Sequence, residues 1–191
     1  METKRIFIAA EFPESMILDL SKTVQCLWPG MNQGIRWVPH QQMHLTLKFI
    51  GEYPLDKIPA VQAVCQKLTR NETHIAVQVR GLGVFPNQQS PSVLWVGLQK
   101  AEAVISLQDK LEKELEILGI PKEKRAFKPH LTLARIKPNF PVNQLKTLLA
   151  PLSAPEIGFN QETFIEKITL FESKLSREGA IYQKIATFQL P

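Results

Sequence analysis

The sequence predicts an α+β fold of two lobes, each an antiparallel sheet with helices packed outside it, and a cleft between the lobes on a pseudo-two-fold axis. Three observations predict it. The string His-Leu-Thr-Leu stands at 44–47 and again at 130–133. Strand-like and helix-like stretches follow one another in the same order before and after each copy. The strand-like runs are β-branched and aromatic, bounded by Pro, Gly and Asn, and alternate with amphipathic stretches of helical period. Copies related by a two-fold axis would bring residues repeated in sequence face to face across the cleft.

The elements follow in chain order. Residues 5–11 form an apolar run read as a strand, and 15–27 an amphipathic helix. Residues 43–50 carry the first motif on a strand; 55–68 read as a helix and 75–84 as a strand. The second half repeats this with a strand at 93–98 and a helix at 102–118. That helix rests on Val104, Leu107, Leu111, Leu115 and Leu118 and is stopped by Gly119 and Pro121. The second motif lies on a strand at 130–136. A helix at 142–149 and a long strand at 157–171 follow, and a strand at 181–188 closes. Val84-Phe85 has a counterpart in Leu170-Phe171. Gly81-Leu82-Gly83 reads as a turn. The chain is expected to be one domain, 1–191, with internal repeats at about 5–90 and 91–188.

The 191 residues suit one domain or two small lobes sharing an interface. A net charge of +5 permits an anionic partner without requiring one. Lys122, Lys124, Arg125 and Lys128 crowd the approach to His130, and Arg135 and Lys137 follow it; a solvated loop would look the same. Residues 6–10 are too short for a secretory core, and no stretch suits a membrane span, so a cytoplasmic protein is expected. Cys26 and Cys65 form no CxxC pair and read as two reduced, partly buried thiols.

Within a strand, residues i and i+2 share a face. His44 and Thr46 therefore point one way, as do His130 and Thr132; Leu45, Leu47, Leu131 and Leu133 point the other way, into the cores. Facing strands would surround one small volume with two imidazoles and two hydroxyls. That set suits a phosphodiester. Hydrolysis needs a base for the attacking water and an acid for the departing oxygen, and histidine, with a reference pKa of ~6.5, serves either role near neutral pH. The threonine hydroxyls can donate to the non-bridging oxygens as charge builds up. A single HxT on a strand is ordinarily a packed histidine, but packing has no reason to keep His and Thr twice. His40 and His74 lack repeat partners and read as surface or loop residues. No carboxylate–histidine or cysteine cluster would complete a metal site, and no Walker loop, GxSxG or GxGxxG competes. Neither metal nor cofactor is expected.

Beyond the paired motifs, residues 36–39 (Arg-Trp-Val-Pro), 44–51 (His-Leu-Thr-Leu-Lys-Phe-Ile-Gly) and 127–135 (Phe-Lys-Pro-His-Leu-Thr-Leu-Ala-Arg) narrow the match. They resemble the LigT-like branch of the 2H phosphoesterases, known as 2′-5′ RNA ligases or RNA 2′,3′-cyclic phosphodiesterases (ThpR). Arg5-Ile-Phe-Ile-Ala and Gly179-Ala-Ile-Tyr182 fit as well, so the resemblance covers nearly the whole chain. It implies hydrolysis of RNA 2′,3′-cyclic phosphate ends, or of cyclic nucleotides, to 2′-phosphomonoesters, with His44 as acid and His130 as base. The same residues could run a 2′-5′ ligation or cleave 2′-5′ oligoadenylate. A non-catalytic RNA-end binder is the alternative from another class; binding alone would need positive charge, not two titrating groups. No obligate protein partner is evident. Phe49 and Arg135 each follow their motif histidine by five residues. Both can stack on a nucleobase, and they are expected to hold the terminal one between them. Five is an odd step, so this requires a bulge, a twist or a strand end near residues 50–51 and 135–137.

Overall fold

Strand β1 (Thr3–Glu11) works on both faces. Ile6, Ile8 and Ala10 enter the main core, while Phe7 and Ala9 turn to the opposite face and cluster with Phe171. In the computed structural model, which describes residues 2–70, 72–153, 159–176 and 179–191, β1 is followed by α1 (Glu14–Leu27), a short β2 (Ile35–Trp37), β3 (Leu45–Pro54), α2 (Ile58–Arg70) and β4 (Ile75–Phe85). Then come β5 (Val93–Gln99), α3 (Glu102–Ile117), β6 (His130–Ile136), α4 (Val142–Leu149), β7 (Asn160–Ile165), β8 (Lys167–Ser176) and β9 (Gly179–Gln189). Two sheets result, ordered β3-β1-β8-β9 and β2-β6-β5-β4-β7, and their paired strands run antiparallel. The predicted α+β class with two antiparallel sheets is what forms.

The sheets do not coincide with the two halves of the chain. In the first sheet, β3-β1-β8 answers to β6-β5-β4 in the second. Each half thus lends strands to the other half's sheet: β2 and β4 join the second sheet, and β8 and β9 the first. The exchange ties the lobes together, and one apolar cluster runs through both. Helix α3 buries Val104, Leu107, Leu111 and Leu115, and α1 buries Met16, Ile17, Leu20 and Val24. Burial of a leucine-sized side chain contributes about 1.5–3 kcal/mol, so these stripes hold the helices to the sheets more strongly than helix propensity does. No helix among the described residues is long and apolar enough to cross a membrane.

Three local expectations are corrected. The strand predicted at 157–171 is two strands in different sheets, parted at Glu166; its first two residues lie outside those described. The Glu166 N–H donates to the Glu11 carbonyl and the Glu166 carbonyl accepts from Leu190 N–H, so the chain crosses between sheets with its backbone satisfied. No Gly or Pro marks the step. Gly81-Leu82-Gly83 is not a turn but an irregularity inside β4, where the β5 register shifts between Val79 and Leu82. Gly81 has φ +81°, and a Cβ on Gly83 would lie 2.1 Å from the Trp95 ring, so glycine is required at both for different reasons. Both cysteines are free thiols, but Cys26 is exposed and Cys65 buried; burial pushes the Cys65 thiol up to about 12.

Candidate active site

The two motif strands carry the same irregularity at the same place. On β3, Lys48 pairs with Ile8 and Thr46 with Ala9, leaving Leu47 as an extra residue. On β6, Ala134 pairs with Leu94 and Thr132 with Trp95, leaving Leu133 extra. Each bulge reverses the alternation. Leu47 and Lys48 are both buried, as are Leu133 and Ala134, and Phe49 and Arg135 come out on the open side with the threonines. This answers the odd step of five. The bulge that turns both residues out falls on the last leucine of each motif. Strand β3 has a second irregularity at Ile50, between the Phe7–Phe49 and Ile6–Gly51 pairings, near residues 50–51 as the sequence suggested, whereas β6 shows none at 135–137. On β3 it is braced from behind. The Leu47 carbonyl accepts from Gln108 Nε2 at 3.4 Å, and buried Lys48 Nζ donates to the Glu112 carboxylate at 2.6 Å and the Pro121 carbonyl at 2.7 Å. On β6 the Leu133 carbonyl accepts from Val38 N–H at 2.8 Å.

The imidazoles are oriented by mirrored hydrogen bonds. His44 Nδ1 lies 2.8 Å from the Gln42 carbonyl, and His130 Nδ1 lies 2.7 Å from the Lys128 carbonyl. A carbonyl only accepts, so each Nδ1 carries the proton and each Nε2 is left for chemistry. Aromatic rings enclose both. Phe7 and Tyr182 stand 5.1 and 5.3 Å from the His44 ring, with Phe171 at 5.9 Å. Phe85 meets His130 edge-on at 5.0 Å and Trp95 lies at 6.0 Å. Burial lowers both imidazoles, because the charged form loses its hydration. His44 is pushed down to about 4, with Arg135 and His130 adding to the effect and the Gln42 carbonyl and Glu11 opposing it. His130 is lowered too, by burial against the opposing Lys128 carbonyl.

A cavity of about 690 Å³ opens over this surface. His44, Thr46, Thr132, Phe49 and Arg135 all line it. His130 does not line it, but its charge acts on His44. Strands β3 and β6 are in contact. Phe49 is 50% exposed with its ring beneath the Arg5 guanidinium at 4.9 Å. Of the basic run around His130, only Arg135 lines the cavity; its other cations among the described residues are Arg5 and Arg36. Lys122 is paired with Glu116 on the surface. His74 is exposed and His40 opens a short 3₁₀ turn, half-buried. Among the described residues, no three His, Cys, Asp or Glu side chains converge as metal ligands.

Sequence reasoning gave no site role to Arg5, Phe7, Arg36, Phe171 or Tyr182. One signal was present: the repeat of Val84-Phe85 in Leu170-Phe171 places an aromatic residue against each motif histidine. The strand exchange hides it, since Phe85 reaches the second histidine and Phe171 the first.

The family profile of the 2′-5′ RNA ligase superfamily matches residues 19–165. The RNA 2′,3′-cyclic phosphodiesterase of Thermus thermophilus is 33% identical over 97% of this chain and 90% of its own length. That of Methanothermobacter thermautotrophicus is 28% identical, over 97% and 98%. A crystal structure of a Thermus thermophilus protein superposes with a TM-score of 0.81 at 31% identity, covering 97% of both chains. Escherichia coli LigT, crystallised with 3′-AMP, superposes at 0.77 and 22% identity over 99% of both, a likeness of fold.

Proposed function

The chain belongs to the 2′-5′ RNA ligase superfamily, and from that premise we propose that it hydrolyses 2′,3′-cyclic phosphodiester ends of RNA to 2′-phosphomonoesters by metal-independent acid–base catalysis. The observation that carries this reading is the mirrored pair of imidazoles, each held through Nδ1 with Nε2 left open. His130 Nε2 takes a proton from water as its oxygen attacks phosphorus. The P–O3′ bond breaks, and His44 Nε2 supplies the proton that O3′ acquires. Thr46 and Thr132 donate to the non-bridging oxygens. In the free protein His44 is neutral at pH 7, and the phosphodiester anion beside it raises its proton affinity, as any opposite charge does. One observation favours a second reading with exchanged roles: His44 is the weaker proton holder of the two in the free protein. Ligation, in which an RNA 5′-hydroxyl attacks the cyclic phosphate in place of water and the P–O3′ bond breaks to leave a 2′-5′ linkage, uses the same groups.

The experiment is product analysis on an oligonucleotide ending in a 2′,3′-cyclic phosphate, in excess EDTA. The expected product is the 2′-phosphomonoester. Binding without turnover, or turnover that EDTA abolishes and a divalent ion restores, would overturn the proposal.

Phe49 and Arg135 are proposed to hold the terminal base, Arg135 also lying near the phosphate. Stacking is worth roughly 1–3 kcal/mol per base. Phe49→Leu and Arg135→Gln are therefore expected to lose several-fold to a hundred-fold in kcat/KM on a nucleoside 2′,3′-cyclic phosphate. The loss on a ribose cyclic phosphate lacking a base should be smaller. Equal factors on the two substrates would rule stacking out.

A further inference from the structure

We infer that the cleft contains a second phosphate subsite built on Arg5, which binds the phosphodiester on the 5′ side of the terminal nucleoside. The inference rests on the proposed hydrolysis of cyclic ends and adds that the preferred substrate is a strand, not an isolated nucleotide.

Among the described residues, three arginines line the cavity: Arg5, Arg36 and Arg135. Only Arg135 is among the charges that act on His44. A cyclic end placed at His44 and the threonines therefore meets Arg135, which leaves Arg5 and Arg36 for negative charge elsewhere on the ligand; of these two, Arg5 lies over Phe49. The placement of Arg5 follows from β1. Arg5 and Phe7 are two residues apart on one strand, a step of about 7 Å. Phe7 packs on the His44 ring, and Arg5 lies over Phe49. Moving outward from the imidazole, the wall thus reads Phe7, then Arg5 resting on the aromatic ring proposed to hold the base. That displacement is of the order of one nucleotide.

The hydrogen bonding of Arg5 is incomplete. Its Nε is buried with no acceptor. The carboxylate nearest in the β1–β3 register, Glu52, accepts from the Thr3 hydroxyl at 3.0 Å. Buried guanidinium donors are ordinarily satisfied; Nε itself is out of a ligand's reach, so an anion would be received by the terminal N–H groups of the same guanidinium, where Arg5 lines the cavity. A phosphodiester fits: its two non-bridging oxygens match adjacent guanidinium N–H groups, and its single charge meets a cation already held flat against an aromatic ring.

The test compares three substrates of one base: the nucleoside 2′,3′-cyclic phosphate, the same compound with a 5′-phosphate, and the dinucleotide ending in that cyclic phosphate. Wild-type kcat/KM is expected to rise at least tenfold from the first to the other two. Arg5→Gln should remove most of that rise while costing the first substrate no more than a few-fold, and Arg5→Lys should retain part of it. The salt dependence of kcat/KM on the dinucleotide should weaken in Arg5→Gln by about 0.7 in log–log slope, the value for one phosphate contact on a single strand. The inference fails if wild type shows no preference for the added phosphate, or if Arg5→Gln lowers all three substrates by one factor. Absence of hydrolysis of any of them by wild type would instead refute the proposed function. Circular dichroism and melting of the variant separate a folding defect from either outcome.

Discussion

His44→Ala and His130→Ala each lower kcat on a 2′,3′-cyclic end by roughly 10²–10⁴-fold, the usual contribution of one acid–base group. The double variant is little worse than either single one, because both groups act in one transition state. His44 packs against Phe7, Phe171 and Tyr182, so His44→Gln, which keeps more of the bulk, guards against a packing loss mistaken for a chemical one. More than a tenth of wild-type activity in either single variant would refute the paired mechanism. The roles are separable with a substrate whose bridging 3′-oxygen is sulfur. A thiolate, with a thiol pKa near ~8.5, departs without a proton. Rescue of the His44 variants by sulfur assigns His44 as the acid; rescue of His130→Ala exchanges the roles.

The same pair sets the pH profile. Turnover needs one proton on the two imidazoles together, so kcat/KM is greatest between their two apparent pKa values in the free protein. Burial lowers both: His44 to about 4, and His130 below its ordinary 6.5. The maximum in kcat/KM is therefore expected on the acid side of 6.5, falling toward neutrality as the shared proton is lost and below about 4 as a second is gained. The profile of kcat, read in the complex, lies at higher pH because the bound anion raises both groups. Coincident profiles centred above pH 7 would contradict the burial argument.

Thr46→Ala and Thr132→Ala form the second large effect, a loss of about 2.7–4 kcal/mol at most, or 10²–10³ in kcat. Both threonines line the cavity, Thr46 exposed and Thr132 half-buried. Serine at either position restores part of the loss by returning the hydroxyl. Valine is the sharper probe, since it keeps the β-branched shape that suits a strand and removes only the donor. Thr→Val variants as fast as wild type would leave the hydroxyls no part in catalysis.

The sequence by itself determined most of the elements, though not β2 or the division of β7 from β8, and the shared face of the four motif residues, for a reason that lies in period. Leu45, Leu47, Leu131 and Leu133 are all buried, and a step of two then sets His44, Thr46, His130 and Thr132 on the opposite side. Helix α3 was legible from a leucine-rich stripe and a Gly–Pro stop. Tertiary structure alone decided the rest. A bulge is visible only against the partner strand that lacks the extra residue, so the turn of Phe49 and Arg135 toward the cleft had to await the β1 and β5 registers. The division of one apparent strand at Glu166 has no Gly or Pro to announce it, because the exchange of β4 and β8 between sheets is a matter of long-range pairing. That exchange brings Phe85 to His130 and Phe171 to His44. The low proton affinity of His44 follows from it, since desolvation depends on which rings close around an imidazole, and those rings come from β1, β8 and β9.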